Sequence, residues 1–276
     1  MRLGAWDFEQ ETRHDRPYYL RQFPGITEHD ASFDEIFRIS PSTAVINIHG
    51  INLPRPLRSI TRKMIKLYFR NRDRIYEPSY FSYSPEFLDI EDNTFIDGYW
   101  ESEKIFADVA GTVRKKLRFP PEYFNSDMAG RISSCNSVAI HIRRGDKSAQ
   151  DKDGSITAHY LKAATEKISS LMENPVFFVF SDDIEWCREN LTKIHGAEYI
   201  FVEGNTPPRD MALMTICKHV IVGTSSFSWW GAWLNANPAK IIIAPDMNLW
   251  YTRMGEPYSQ PEDRKYLIPE SWIKIS

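Results

Sequence analysis

The stretch "VAIHIRRGDK", Val138 to Lys147, opens on apolar, mostly β-branched residues and closes on His141, Arg143, Arg144 and Asp146. A short apolar run bounded by a glycine reads as a buried strand that delivers charged groups at its carboxyl end. The same residues contain Arg144-Gly145-Asp146, the tripeptide of cell-adhesion ligands. Two readings therefore compete, an adhesion tag and an anion site, and the surrounding sequence decides between them.

Further apolar runs lie at 176–180, 198–202, 220–223 and 240–244, with helical patterns between them. Tyr160, Leu161, Ala164, Ile168 and Met172 share one stripe of a helix expected over 157–172. Asp182 and Glu185 form a capping-box pattern ahead of Trp186, a simpler reading of them than a catalytic pair. Pro207 and Pro208 suit the entry to a helix over 209–218, and Ser225 or Ser226 suits the cap of another running to Asn235. Trp229 and Trp233 share a face of that last helix and read as core. Strand and helix in alternation predict a doubly wound α/β domain on a parallel sheet over 131–276.

The first 130 residues are less regular. "STAVINIHG", 42–50, reads as a strand; Leu57, Ile60, Met64, Leu67 and Tyr68 recur at helical spacing; "YWESEKIFADVAGTVRKKL" predicts a long helix from near Glu101. These suggest a second α/β unit over 1–130, with polar "NSDMAGRISSCNS", 125–137, as the linker. From Arg55 to Arg74 the chain carries eight Lys or Arg against one acid, Asp73, on an amphipathic pattern. That run suits either a solvated helix face or peripheral contact with anionic head groups at the inner face of a membrane.

Composition narrows the classes. At 276 residues, 42% hydrophobic and 26% charged, the chain has the material for a sizeable globular core. A net charge of −3 gives no global pull toward nucleic acid, so no nucleic-acid partner is expected. Cys135, Cys187 and Cys217 are odd in number and widely spaced, which fits neither a disulfide framework nor a metal knuckle. No apolar stretch approaches the roughly 20 residues that span a bilayer, and no hydrophobic signal region comes after Met1. The chain reads as reduced and cytoplasmic, and adhesion, which needs export, gives way to the anion reading. HExxH, CxxC and carboxylate clusters are missing from the sequence, so no metal is expected.

In an open parallel sheet, ligands bind beyond the carboxyl ends of the strands. Those positions hold His141, Arg143, Arg144 and Asp146, then Ser181, Asp182 and Asp183, then Thr224, Ser225 and Ser226, then Pro245 and Asp246. Guanidinium forks match phosphate oxygens, and a helix beginning at Ser225 or Ser226 points N–H groups at an anion. Together they describe a diphosphate site. The plainer alternatives stay open here: a surface salt bridge for the arginines, with Asp146 as partner, and simple capping for the serines.

Taken in order, "FIDGYWESEKIF", "HIRRGD", "FFVFSDDIEWC" and "CKHVIVGTSSFSWWGAWLN" closely resemble the bacterial α-1,2-fucosyltransferases of glycosyltransferase family 11. The resemblance implies a two-lobed GT-B fold with Rossmann-like lobes, an acceptor-side lobe at 1–130 and a GDP-sugar lobe at 131–276. It implies an inverting transfer of L-fucose from GDP-L-fucose to a terminal galactose of a surface glycan, with no cofactor and no metal. The partners so implied are a GDP-sugar and a glycan acceptor. Arg143 is implied as the catalytic residue on the β-phosphate, assisted by Arg144, with Asp146 holding the loop or an arginine and His141 near the nucleoside. Asp182 and Asp183 match the family's SDD, Asp210 resembles an acid that pairs with guanine, and Ser225, Ser226 and Phe227 are implied to close over the diphosphate.

Two departures from the family pattern stand out. The family opens with a strand and a GGLGNQ loop, whereas this sequence begins with a segment similar to the one after the family's first helix. Roughly the first 30 family positions are thus expected to be absent, leaving the first lobe truncated. Thr224 stands where asparagine is frequent. A catalytically inactive homologue that at most binds GDP or a GDP-sugar, and an enzyme using another GDP-sugar, are the competing expectations.

Overall fold

The computed structural model describes residues 75–76, 95–96, 102–144, 155–249 and 266–276. The chain divides into two compact units, Met1–Arg118 and Phe119–Ser276. In the first, β1 (Ile75–Tyr76) pairs in parallel with β2 (Phe95–Ile96). The long helix expected from Glu101 is broken there. Two 3₁₀ turns, Glu103–Ile105 and Ala107–Val109, precede the α-helix α1 (Ala110–Lys116). Phe106 (φ −129°, ψ 19°) and Val109 (φ −115°, ψ 14°) leave the helical region, and the chain turns inward at Phe106 to bury its ring. The strand expected at 42–50, the helix built on Leu57 to Tyr68, and the basic run from Arg55 to Arg74 lie outside the described residues.

The second unit begins at Phe119, and the polar stretch 125–137, expected as a linker, is folded within it. Ser126 accepts a hydrogen bond from the Ala129 N–H (3.2 Å) and caps α2 (Asp127–Ser133), which buries Ala129 and Ile132. Two inward residues suffice to dock a two-turn helix, so polarity alone misleads here. The chain then enters β3 (Asn136–Ile142), the central strand.

From β3 the elements alternate: α3 (Ser155–Ser169), β4 (Pro175–Ser181), α4 (Ile184–Asn190), β5 (Glu198–Phe201), α5 (Pro207–Ile216), β6 (His219–Ile221), α6 (Ser226–Leu234) and β7 (Ile242–Pro245). The five strands read from the sequence are all present, and a sixth, β8 (Ile273–Ile275), extends the edge. Every pairing is parallel, in the order β5-β4-β3-β6-β7-β8. The chain winds outward from β3 to β5, returns past β3, and winds the other way through β6 and β7. The fold is α/β, and the reversal falls between β3 and β6, where such sheets open a crevice.

Burial explains why the apolar runs are continuous rather than alternating. Val138, Ile140 and Ile142 of β3 pack with Phe177 and Val179 of β4 and with Tyr160, Leu161, Ala164 and Ile168 of α3. Ala139, Phe178 and Phe180, the intervening residues, are buried as well. Each large side chain so enclosed contributes roughly 1.5–3 kcal/mol. Trp229 and Trp233 of α6 are buried and parallel, 6.4 Å between centroids, and the Trp229 indole donates to the Leu267 carbonyl (2.7 Å). The aromatic pair is core, as its helical spacing suggests. Among the described residues no helix is long and apolar enough to cross a membrane.

Candidate functional site

The reversal point is built from two strand ends that touch. At the carboxyl end of β3, His141 is buried; just beyond β6, Gly223 lies against it. A Cβ on Gly223 would stand 2.5 Å from the His141 carbonyl oxygen, so only glycine lets the two backbones meet this closely. The next turn is pinned by Ser228, whose hydroxyl donates to the carbonyls of Gly223 (3.2 Å) and Ser225 (3.0 Å). Ser225 then caps α6, its hydroxyl oxygen accepting from the Phe227 N–H (3.3 Å), and Ser226 takes the first helical position at the surface. Phe227 reaches back to the His141 ring, 5.0 Å between centroids.

Sequence reasoning treats Arg143 and Arg144 as a pair; the structure separates them. The Arg143 guanidinium stands partly in solvent and pairs with the Asp182 carboxylate at 2.7 Å. Arg144 is buried, its guanidinium 4.2 Å from the centre of the Trp186 ring, a cation–π contact. The other Asp182 oxygen accepts from the Arg144 backbone N–H (2.8 Å). One carboxylate from the end of β4 thus fixes both the aim of Arg143 and the path of the loop that leaves β3.

The expected capping box at Asp182 and Glu185 is displaced by one residue. Helix α4 starts at Ile184, so Asp183 is its cap and accepts from the Trp186 N–H (3.2 Å). Glu185 points into solvent and faces Arg188 at 3.7 Å, leaving Asp182 for the arginines. Asp183 is therefore occupied in holding the helix. Asp146, expected as an arginine partner, lies outside the described residues.

Asp210 sits in the first turn of α5, where its Oδ1 accepts from the Asn205 side-chain amide (3.0 Å). Burial raises its pKa from 3.8 to about 6, an effect only partly offset by that hydrogen bond. His141 moves the other way. Burial lowers it to about 4, with the Asp182 carboxylate opposing the shift and Arg143 adding to it, so the imidazole is neutral at physiological pH. At the far side of the crevice, Asp246 is taken up by structure: its carboxylate accepts from the Leu249 N–H (2.8 Å) and the Ser276 hydroxyl (2.9 Å).

These ends surround a small cavity lined by His141, Arg143 and Thr224 together with Ile142, Tyr160 and Leu249. The Tyr160 hydroxyl donates to the Val222 carbonyl (2.7 Å), tying α3 to the residue before Gly223. A neutral imidazole, a guanidinium aimed by a carboxylate and a helix N-terminus so grouped can hold a phosphorylated ligand by its charge and its hydroxyls.

The model of glycosyl transferase family 11 matches residues 49–264. The chain belongs to glycosyl transferase family 11. Within the family it is 38% identical to an alpha-1,2-colitosyltransferase of Escherichia coli over 64% of this chain and 61% of that protein. It is 32% identical to the O-antigen biosynthesis glycosyltransferase WbnK of the same organism, over 51% of this chain and 45% of that protein. Against the human galactoside alpha-(1,2)-fucosyltransferase 1 the figures are 36% identity, 35% and 28%. The chain thus spans 61% or less of the length of these relatives. The crystal structure of POFUT1 in complex with GDP-fucose matches 69% of this chain and 59% of that one, at 15% identity and a TM-score of 0.36, a likeness too slight to carry an argument.

Of the residues expected at a family 11 donor site, the structure brings His141, Arg143, Asp182, Ser225 and Phe227 to the junction of β3, β4 and β6. Asp210 lies in the first turn of α5. Four residues escape a reading of the site from sequence: Gly223, Tyr160, Trp186 and Asn205. Gly223 carries a signal, a glycine directly after a strand. Tyr160 reads as a core position of its stripe, and only its hydroxyl bond reveals the second role. For Trp186 and Asn205 no local pattern marks the partner.

Proposed function

We propose that this chain is an inverting α-1,2-fucosyltransferase, taking L-fucose from GDP-L-fucose to a terminal galactose of a surface glycan without a metal. The observation that carries the reading is Arg143, aimed by Asp182 at the sheet's reversal point beside the N-terminus of α6, in a chain of family 11. In this reading the Phe119–Ser276 unit holds the nucleotide and the Met1–Arg118 unit serves the acceptor.

Charge develops on the β-phosphate as the bond from sugar to GDP breaks. The Arg143 guanidinium stabilises that charge, and the N-terminal end of α6 adds its partial positive charge from the other side. Electrostatic stabilisation of this kind needs no metal ion. Arg144, buried on Trp186, supports the loop rather than the phosphate. The Asp210 carboxylate accepts two hydrogen bonds from the N1–H and 2-amino group of guanine, with Asn205 orienting it. The acceptor hydroxyl attacks the anomeric carbon from the face opposite GDP, which inverts the configuration.

The test is incubation of the protein with GDP-L-fucose and a β-galactoside in the presence of EDTA. The expected result is GDP release with formation of an α-1,2-linked fucoside. Arg143→Ala lowers kcat by about 10²–10³-fold while leaving the circular dichroism spectrum unchanged. Near-wild-type turnover in that variant would remove Arg143 from the chemistry.

A second reading of the donor sugar comes from the 38% identity to an enzyme named for colitose. Parallel assays with the GDP derivatives of fucose and colitose decide it: the donor with the larger kcat/KM is the substrate. GDP binding with turnover of neither sugar overturns the transferase reading and leaves a nucleotide-binding protein.

A further inference from the structure

Two polar atoms at the reversal point have no hydrogen-bond partner among the described residues, the Nδ1 of His141 and the Oγ1 of Thr224. Both residues are more than nine-tenths buried, and both line the same cavity. Buried polar atoms in folded proteins are nearly always matched, and leaving one unmatched is costly. Two such atoms, on residues that line one space, point to something that enters it.

The space limits what that is. It has room for about one water-sized oxygen, and Ile142, Tyr160 and Leu249 form much of its wall. An anionic phosphate oxygen would be stripped of water against these apolar side chains. A hydroxyl fits better, because it both donates and accepts. Its hydrogen is given to one ring nitrogen of a neutral imidazole while its oxygen accepts from a threonine hydroxyl.

We propose that Thr224 Oγ1 and His141 Nδ1 form a hydroxyl-reading subsite that takes one hydroxyl of the bound nucleotide sugar, not one of its phosphate oxygens. The inference rests on the reading of the donor as a GDP-sugar. In it Thr224 determines specificity: the hydroxyl enters as donor to His141 and acceptor from Thr224, and Tyr160 holds the wall by its bond to Val222. A site built to match a hydroxyl discriminates against ligands that lack it, since its own polar atoms then stay unmatched.

The test is calorimetric binding of GDP-L-fucose, GDP and 2′,3′-dideoxy-GDP to the full chain and to its Thr224→Val and Thr224→Ser variants, with melting temperatures measured alongside. Thr224→Val is expected to weaken GDP-fucose binding about three- to ten-fold, and Thr224→Ser to restore it. Melting of the valine variant is expected at or above the wild-type temperature, because the lost hydroxyl has no partner among the described residues. If the ribose supplies the hydroxyl, the loss appears equally with GDP and vanishes with the dideoxy analogue. If the transferred sugar supplies it, GDP binds wild type and valine variant alike, and GDP-fucose alone separates them. A valine variant that binds GDP-fucose like the wild type, or one whose melting falls with its affinity, overturns the subsite while the donor reading stands. Wild-type protein that binds none of the three overturns the donor reading and the subsite with it.

Discussion

Asp210 is pulled in opposite directions by the fold and by the ligand proposed for it. Its folded-state pKa, about 6, lies above the ordinary 3.8, so the fold binds its proton more tightly than the unfolded chain does. The stability it contributes is therefore fully present below about pH 4 and is lost as pH rises through about 6. The gap corresponds to at most about 3 kcal/mol, and partial contact with solvent reduces it. Guanine, by contrast, needs the carboxylate. GDP affinity is accordingly expected to fall as pH drops through about 6, approaching tenfold per unit below it, whereas Asp210→Asn binds weakly across the range. The same variant gains about 1–2 kcal/mol of stability at pH 8, read by urea denaturation at pH 5 and pH 8. GDP affinity that stays flat between those pH values would take Asp210 out of nucleotide binding.

The junction of β3 and β6 depends on one missing methyl group. In Gly223→Ala the new Cβ meets the His141 carbonyl at 2.5 Å, and both parties are backbone at adjacent strand ends, so no side chain can swing aside. The substitution is expected to cost about 1–3 kcal/mol in denaturant unfolding and to weaken GDP binding, by forcing His141 and Thr224 apart. An unperturbed variant would mean that the crevice is looser than the two strand ends indicate. Legibility at this scale divides by how local the cause is. Strands and the α3 stripe are legible because burial imposes its period on consecutive residues. The cap of α4 falls one residue later than its sequence pattern suggests, since Asp182 and Asp183 are chemically alike and only the helix start assigns one to the backbone and the other to Arg143. The stretch 125–137 hides α2 because a short docked helix needs too few apolar residues to announce itself.

The reversal of strand order is a property of the whole sheet that no segment encodes alone. The alternation of strand and helix predicts a parallel α/β fold, and with it that chemistry collects at carboxyl ends; that His141 and Gly223 come from adjacent strands appears only in the order β5-β4-β3-β6-β7-β8. At the other edge, β8 is three residues long and carries a lysine, a pattern too brief to read, yet the Asp246 N–H donates to the Ile275 carbonyl (2.7 Å) and fixes it beside β7. A ligand at the reversal point bridges the two halves of the sheet and leaves this edge alone. GDP at about 100 times its Kd is therefore expected to stabilise the Phe119–Ser276 unit by about 2.7 kcal/mol, raising its melting temperature by roughly 5–10 °C, equally with and without EDTA. Hydrogen exchange localises the gain: amides at the carboxyl ends of β3 and β6 slow, while those of β8 exchange as before. Protection that appears instead at β8, or a shift that requires an added divalent cation, would move the ligand away from the arginine-lined crevice or make a metal part of its binding.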